Sequence, residues 1–326
     1  MRLVSYRTAA GESSVGIVTE EGVVDAAGAI AVPASAGLSP MRRLLLGADG
    51  TGVDAATLAE TLAGVSGTAV PLSELQVEPI VPDPGKIMAA PVNYFDHKAE
   101  MNEDAHVDSL GLFLKAPTSV LAAAGEVRLP YTDRRFDQEG ELAVVIGRTA
   151  SHVSASDALE YIAGYTLLLD MTMRGGEDRS TRKSFDTFTP VGPFLVTPDE
   201  AGSPQDMRLR CWVGDELRQD ADIADLIWGV PELIAYASSV MVLKPGDILT
   251  TGTPAGVGVV GDGDRVAVEV GGLGRLEVWV SDVGAVACPT KGADRGPRPP
   301  ATVTPVRVRD DEGGTGVDEV GAAEVS

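Results

Sequence analysis

Glu139 and Glu141 stand two residues apart at the head of an apolar run, Leu142-Ala143-Val144-Val145-Ile146. That run is rich in β-branched residues and reads as a buried strand. Strand side chains alternate, so the two glutamates point to one side and Leu142, Val144 and Ile146 to the other. Two like charges at the mouth of an apolar strand are costly unless something neutralises them. A hard divalent cation does this, because oxygen ligands suit Mg²⁺ and Mn²⁺. The alternative is a polar strand start facing water. Asp170 closes a second apolar run, Ile162-Ala163-Gly164-Tyr165-Thr166-Leu167-Leu168-Leu169. With the glutamates it would make three oxygen ligands and leave positions for water and substrate. Its other reading is a helix cap or turn residue.

Four further groups could act on a substrate. His97 precedes Glu100 by three residues, so on a helix the two share a face. A carboxylate beside an imidazole orients it and raises its basicity, as a water-activating base requires. An ordinary surface ion pair has the same spacing. Arg174 and Lys183 follow Asp170 and could hold a carboxylate or stabilise developing negative charge, or simply be solvated. The stretch Thr250-Thr251-Gly252-Thr253-Pro254-Ala255-Gly256-Val257-Gly258 lacks the Gly-Lys-Ser/Thr end of a P-loop and does not fit G-x-G-x-x-G. Its amides and Thr253 could cradle a carboxylate or enolate, or form a tight turn between core strands.

These groups need elements to position them. Residues 1–75 form a small N-terminal module, with strands at 3–6, 15–18 and 23–25 and a helix near 55–62. A sharp turn at Val81-Pro82-Asp83-Pro84-Gly85 leads into the main domain, which runs to about residue 288. Within it, 159–170 reads as a strand entered from a short helix. Residues 230–240 form an amphipathic helix with Leu233, Ile234 and Ala237 inward. Residues 266–280 form a hairpin with a glycine-rich turn. Few strands are joined by long helices, which argues against a doubly wound parallel sheet. From Pro289 onward the chain is rich in Pro, Gly and acidic residues and is expected to be disordered.

The chain has 326 residues, 44% of them hydrophobic and 5% aromatic, so the core rests on Val, Leu, Ile and Ala. The net charge of −22 argues against a nucleic-acid surface. The tail holds five basic and seven acidic residues, so the acidity belongs to the folded body. Two cysteines, Cys211 and Cys288, exclude a disulfide framework and a cysteine zinc site, and they suit a reducing compartment. No segment is apolar enough to span a membrane or serve as a signal peptide. A cytoplasmic protein is expected.

Taken in order, the segments resemble the fumarylacetoacetate hydrolase family over roughly residues 81–285. The matching pieces are Asn93-Tyr94, His97 and Glu100, then Phe113-Leu114-Lys115, then Glu139-Gly140-Glu141-Leu142-Ala143-Val144-Val145-Ile146-Gly147. Gly164-Tyr165, Asp170 and Arg174 follow, then Lys183-Ser184-Phe185-Asp186-Thr187-Phe188 with Pro190-Val191-Gly192-Pro193. Last come Leu243-Lys244-Pro245-Gly246-Asp247 and Thr251-Gly252-Thr253-Pro254-Ala255-Gly256-Val257-Gly258.

The resemblance implies an α+β, mainly β fold, a mixed β-roll, usually homodimeric. It also implies one Mg²⁺ or Mn²⁺ on Glu139, Glu141 and Asp170, with Tyr94, Lys115, Arg174 and Thr253 toward the substrate. Family substrates are small oxo and β-diketo acids. His97 and Glu100 would activate water for attack on the distal carbonyl. The C–C bond then breaks to a metal-bound enolate that Lys183 helps stabilise. The loop around His97 would be a lid.

Three departures stand out. Leu169 replaces the usual Asn before the metal Asp. Thr172-Met173-Arg174-Gly175 replaces Ser-Ala-Arg-Asp. The glycine usual before Asn-Tyr is lost in Ala90-Pro91-Val92. All three are expected in the pocket. The leading expectation is hydrolysis of an acylpyruvate-like acid. Decarboxylation or isomerisation of oxo-dicarboxylic acids, as in aromatic catabolism, is the alternative. A non-catalytic oxo-acid binder would have no reason to keep both ligands and dyad, and nucleotide binding by the glycine-rich stretch is disfavoured.

Overall fold

The computed structural model describes residues 1–293, 295–296 and 299–306. Among these, the strands form three sheets with short helices between them. The largest runs, edge to edge, Gly22–Asp25, Ser13–Thr19, Arg2–Arg7, Thr189–Val196, Ile162–Leu169, Gly140–Ile146, Ile248–Thr250, Ile87–Ala89 and Phe113–Lys115. Most neighbours are antiparallel; Ile248–Thr250 beside Ile87–Ala89 is a parallel exception. A second sheet contains the expected hairpin, Arg265–Val270 with Gly274–Ser281, in register from Arg265↔Trp279 to Val270↔Gly274. The fold is therefore mixed and mainly β, as expected.

The strand Gly140–Ile146 is buried along its whole length. Its alternation feeds two cores: Leu142, Val144 and Ile146 enter one, Ala143 and Val145 the other. The same holds for Ile162–Leu169, where Leu167 and Leu169 join the first core and Leu168 the second. The helix Val230–Val240 buries Leu233, Ile234 and Ala237, as its periodicity requires.

Arg2 and Leu3 pair with Val196 and Leu195, so the N-terminal strands extend the main sheet. The helix Ala55–Leu62 starts at Asp54, whose side chain accepts from Thr57 N. The tail expected to be disordered falls partly outside the described residues, at 294, at 297–298 and from 307 on. Its described part makes specific contacts: Thr290 donates to Glu177, Gly176 N donates to Gly292 O at 2.9 Å, and Thr304 reaches Glu100.

The Lys-Pro-Gly-Asp turn has a structural task. Asp247 is fully buried, and its carboxylate accepts from the amides of Lys86 (3.1 Å) and Lys244 (2.7 Å) and from the Lys86 ammonium. This ties the start of the main domain to the strand Ile248–Thr250. Removing the carboxylate leaves two amides without an acceptor and the Lys86 ammonium with only Val242 O. Asp247→Ala is expected to cost about 2–4 kcal/mol of stability, read from the urea midpoint. An unchanged midpoint would contradict this.

Candidate active site

A small third sheet creates the site. It joins Thr172–Met173, Phe136–Gln138 and Gly258–Val259. The chain leaves this sheet at Glu139, enters the large one at Gly140, and returns through Asp170 and Met171. Gly140 pairs with Leu169 in the large sheet and Asp137 with Thr172 in the small one. Glu139 and Asp170 therefore face each other at the crossing, where Asp170 N donates to Glu139 O at 2.8 Å. Glu141 lies one alternation further on the same face.

The carboxylate oxygens of Glu139, Glu141 and Asp170 lie within 4.8 Å of one another, and all three residues are buried. Positive groups surround them. Lys183 Nζ donates to Glu139 (2.6 Å), Asp170 (2.5 Å) and Thr172 Oγ1 (2.7 Å). Arg174 donates from Nη2 to Glu139 at 2.8 Å and from Nε to Asp137 at 2.6 Å. Burial works against an ionised Glu139, but Lys183 and Arg174 outweigh it and hold the carboxyl below the ordinary carboxylate range. Glu141 has no such partner. Burial, with Asp170 beside it, pushes it up to about 8, although Thr250 Oγ1 and the Gly252 amide (2.9 Å) both donate to it. An all-oxygen, buried, strongly acidic set of this kind fits Mg²⁺ or Mn²⁺.

His97 is buried on the short helix Phe95–Glu100 and lines the same cavity as the triad. Its Nδ1 lies 3.0 Å from Glu100 Oε2, which leaves Nε2 for the cavity. The other Glu100 oxygen accepts from the Gly256 amide (2.9 Å) and Thr304 Oγ1 (2.7 Å). Burial would raise the Glu100 carboxyl, but His97 and these donors pull it below its ordinary value. Asn93 anchors the helix: its amide donates to Trp228 O and Thr251 O, and its oxygen accepts from Trp228 N, all at 2.8 Å.

Seven of the ten candidate residues line one cavity: His97, Glu139, Glu141, Asp170, Arg174, Lys183 and Thr253. Glu100 stands behind His97. Lys115 is fully buried, and its ammonium donates to Asp170 and to Phe188 O. Tyr94 is buried at the start of the helix Phe95–Glu100 and lines a different depression, and burial together with the nearby Glu141 charge holds its phenol well above the ordinary value. The glycine-rich stretch also differs from the expected substrate cradle. Its amides clamp the protein's own Glu141 and Glu100, and Thr253 Oγ1 is taken by Gly140 O (2.9 Å) and Gln219 (2.7 Å).

The departures from the family pattern separate likewise. Leu169 points into the core, opposite the ligands. A side chain at Gly175 would sit 2.0 Å from the Arg134 guanidinium, whose pair with Glu177 fills the space. Ala90, Pro91 and Val92 do line the cavity. Val92 holds the left-handed φ of 47°, a conformation that suits the glycine usual there. Sequence reasoning missed Asp137, which orients Arg174, and Arg182, which lines the cavity. The charge of Arg182 next to Lys183 was the available signal.

Residues 86–281 match the family described as fumarylacetoacetate (FAA) hydrolase C-terminal. A maleylpyruvate hydrolase of Aquipseudomonas alcaligenes is 44% identical over 223 residues, 65% of this chain and 78% of that one. The 4-hydroxyphenylacetate degradation bifunctional isomerase/decarboxylase of Escherichia coli is 41% identical over 204 residues, 61% of this chain and 47% of that one. The maleylpyruvate hydrolase of Sphingobium sp. SYK-6, solved with manganese(II) and pyruvate, superposes with a TM-score of 0.70 at 36% identity, covering 86% of this chain and 99% of that one.

Two outcomes follow from the geometry. Glu141 carries a proton below about 8 in the metal-free protein, and an incoming cation must expel it. Metal affinity is therefore expected to rise with pH up to that value and level off above it. Calorimetry in two buffers of different ionisation enthalpy reads the released proton; proton-free binding at neutral pH would contradict the assignment. Gly256 has φ +100°, and a Cβ there would lie 1.7 Å from Arg218 O. Gly256→Ala is expected to cost more than about 1 kcal/mol and to dislodge the Glu100 clamp, lowering both melting temperature and turnover. With its glutamates, aspartate and His–Glu pair gathered at one sheet crossing, this chain belongs to the fumarylacetoacetate hydrolase family.

Proposed function

We propose that the chain is a divalent-metal-dependent hydrolase that cleaves a C–C bond in an acylpyruvate-like β-diketo acid. The observation that carries this is the single cavity in which the His97–Glu100 pair faces the three carboxylates. The likeness to maleylpyruvate hydrolases supports it. Glu139, Glu141 and Asp170 would hold Mg²⁺ or Mn²⁺, which supplies Lewis acidity toward the oxo-acid end of the substrate.

The protein's own groups do the rest. Glu100 fixes the His97 tautomer with the proton on Nδ1, so Nε2 is the base. Nε2 takes a proton from water, and the resulting hydroxide adds to the distal carbonyl. Glu100 stabilises the imidazolium that forms. Collapse of the adduct breaks the bond to the carbon between the two carbonyls, and the electron pair moves onto the oxo-acid fragment. The Lys183 and Arg174 charges favour that negative charge. Returning the proton to the carbanion carbon completes two acids. The lid helix excludes bulk water during this sequence.

Likeness to the isomerase/decarboxylase supports a second reading, decarboxylation or isomerisation of an oxo-dicarboxylic acid on the same groups. Products separate them: hydrolysis gives two acids, decarboxylation gives CO₂, and isomerisation conserves mass. A panel of acylpyruvates and oxaloacetate, followed by ultraviolet loss and product mass with Mg²⁺, Mn²⁺ or EDTA, is expected to show metal-dependent release of pyruvate. His97→Asn is expected to lower kcat by about 10²–10⁴. Glu139→Ala is expected to abolish turnover. EDTA-resistant turnover would contradict the reading.

The proposal includes a cytoplasmic homodimer. No helix among the described residues is long and apolar enough to cross a membrane. Light scattering is expected to give twice the 33.8 kDa chain mass, and a monomer would contradict it.

A further inference from the structure

The segment from Cys288 onward lies beyond residues 86–281, the part that matches the family, yet it is fastened to the elements that carry the site. Cys288 N donates to Asp133 at 2.8 Å, and Arg134 Nη1 donates to Cys288 Sγ (3.2 Å) and Thr290 Oγ1 (3.0 Å). Gly176 N donates to Gly292 O at 2.9 Å. A Cβ at Gly176 would lie 2.5 Å from Arg295 Cβ, so a side chain there would hold the segment off. Further along, Arg135 Nη1 donates to Pro300 O at 3.5 Å, and a Cβ at Gly258 would lie 2.9 Å from Val303 Cγ2. These contacts follow the small sheet strand by strand. Gly176 comes shortly after Thr172–Met173, Arg135 just before Phe136–Gln138, and Gly258 opens Gly258–Val259, which is the order of the strands in that sheet.

Having crossed the sheet, the segment reaches the dyad. The Glu100 side chain is 1% exposed. Its Oε2 meets His97 Nδ1 at 3.0 Å, and its Oε1 accepts from Gly256 N at 2.9 Å and from Thr304 Oγ1 at 2.7 Å. A carboxylate turns readily about the bond to its own chain, because that terminal torsion is broad. One amide on Oε1 leaves this rotation open. A second donor on the same oxygen closes it and keeps Oε2 aimed at the imidazole. Thr304 does not line the cavity of the triad, so its hydroxyl acts on Glu100 from behind.

We propose that Thr304 is a positioning residue for the reaction: held by a C-terminal strap across the small sheet, its hydroxyl fixes the plane of the Glu100 carboxylate and, through it, the orientation of His97. This rests on the reading of His97 as the base. The strap is on this account a working part of the site, although it lies outside the segment that matches the family.

The test uses Mn²⁺-loaded full-length protein and the acylpyruvate that wild type cleaves best. Thr304→Val keeps the shape and removes the donor; Thr304→Ser keeps the donor and removes the methyl group. Thr304→Val is expected to lower kcat by about 10- to 100-fold, the worth of a hydrogen bond to a charged group, with KM changed less than about threefold. Thr304→Ser is expected to stay within about threefold of wild type. Packing alone would give the reverse order, with Val tolerated and Ser impaired, and that result would overturn the proposal. So would a loss in KM with kcat unchanged. Should Thr304→Val fail to fold, Thr304→Ala set against Thr304→Ser makes the same comparison.

A second readout needs no turnover. In ¹⁵N-histidine-labelled full-length protein, the His97 Nδ1–H proton is identified by its loss in His97→Asn. Thr304→Val is expected to shift or broaden that resonance and Thr304→Ser to leave it in place. If wild type cleaves no acylpyruvate, the hydrolase reading falls and this spectrum alone decides the role of Thr304. A resonance that Thr304→Val leaves untouched, or one absent from wild type, would overturn it.

Discussion

Three carboxylates packed into one buried crossing of two sheets set the terms for the rest of this protein. Glu139, Glu141 and Asp170 cannot all be ionised there without compensation, because burial penalises each charge and the charges repel one another. Lys183, Lys115 and Arg174 supply compensation in the protein alone, and Asp137 holds Arg174 in turn. The arrangement is asymmetric. Glu139 is well compensated and stays ionised, whereas Glu141 is not and keeps its proton to about 8. A divalent cation would complete the compensation that the side chains leave partial at Glu141.

The same loop serves both halves of the chemistry. Gly252 N donates to Glu141 and Gly256 N donates to Glu100, so one segment steadies both a triad carboxylate and the carboxylate behind His97. Asn93 ties the root of the helix Phe95–Glu100 to Thr251, at the head of that loop. Ligand set and dyad are therefore not independent modules, and substitutions in the two are expected to be non-additive. Thr304, beyond the matched family segment, adds a bond to Glu100 from the end of the described chain.

Much of this architecture is legible in the amino-acid sequence. The alternation in Gly140–Ile146 and Ile162–Leu169 places the acids at strand ends, and the i, i+3 spacing places His97 beside Glu100. Periodicity reports a face, however, and not a neighbour. It cannot show that Lys115 reaches back under Asp170, or that Thr253 is consumed by Gly140 and Gln219. Those partners come from elements far apart in sequence, through long side chains whose direction spacing does not fix. Leu169 illustrates the limit: it adjoins a ligand in sequence, yet strand alternation turns it into the core. Arg182 escapes a sequence reading for the converse reason. A cation between polar residues reads as solvated, and only the fold shows that it is buried, with the backbone carbonyls of Glu177 and Met173 as acceptors.

The central claim is that the triad is a divalent-cation site. Anomalous diffraction at the manganese edge from crystals grown with Mn²⁺ tests it most directly. The account expects one strong peak per chain, within bonding distance of oxygens from Glu139, Glu141 and Asp170. A peak elsewhere with the triad still held by Lys183, or no peak at saturating Mn²⁺, would contradict it.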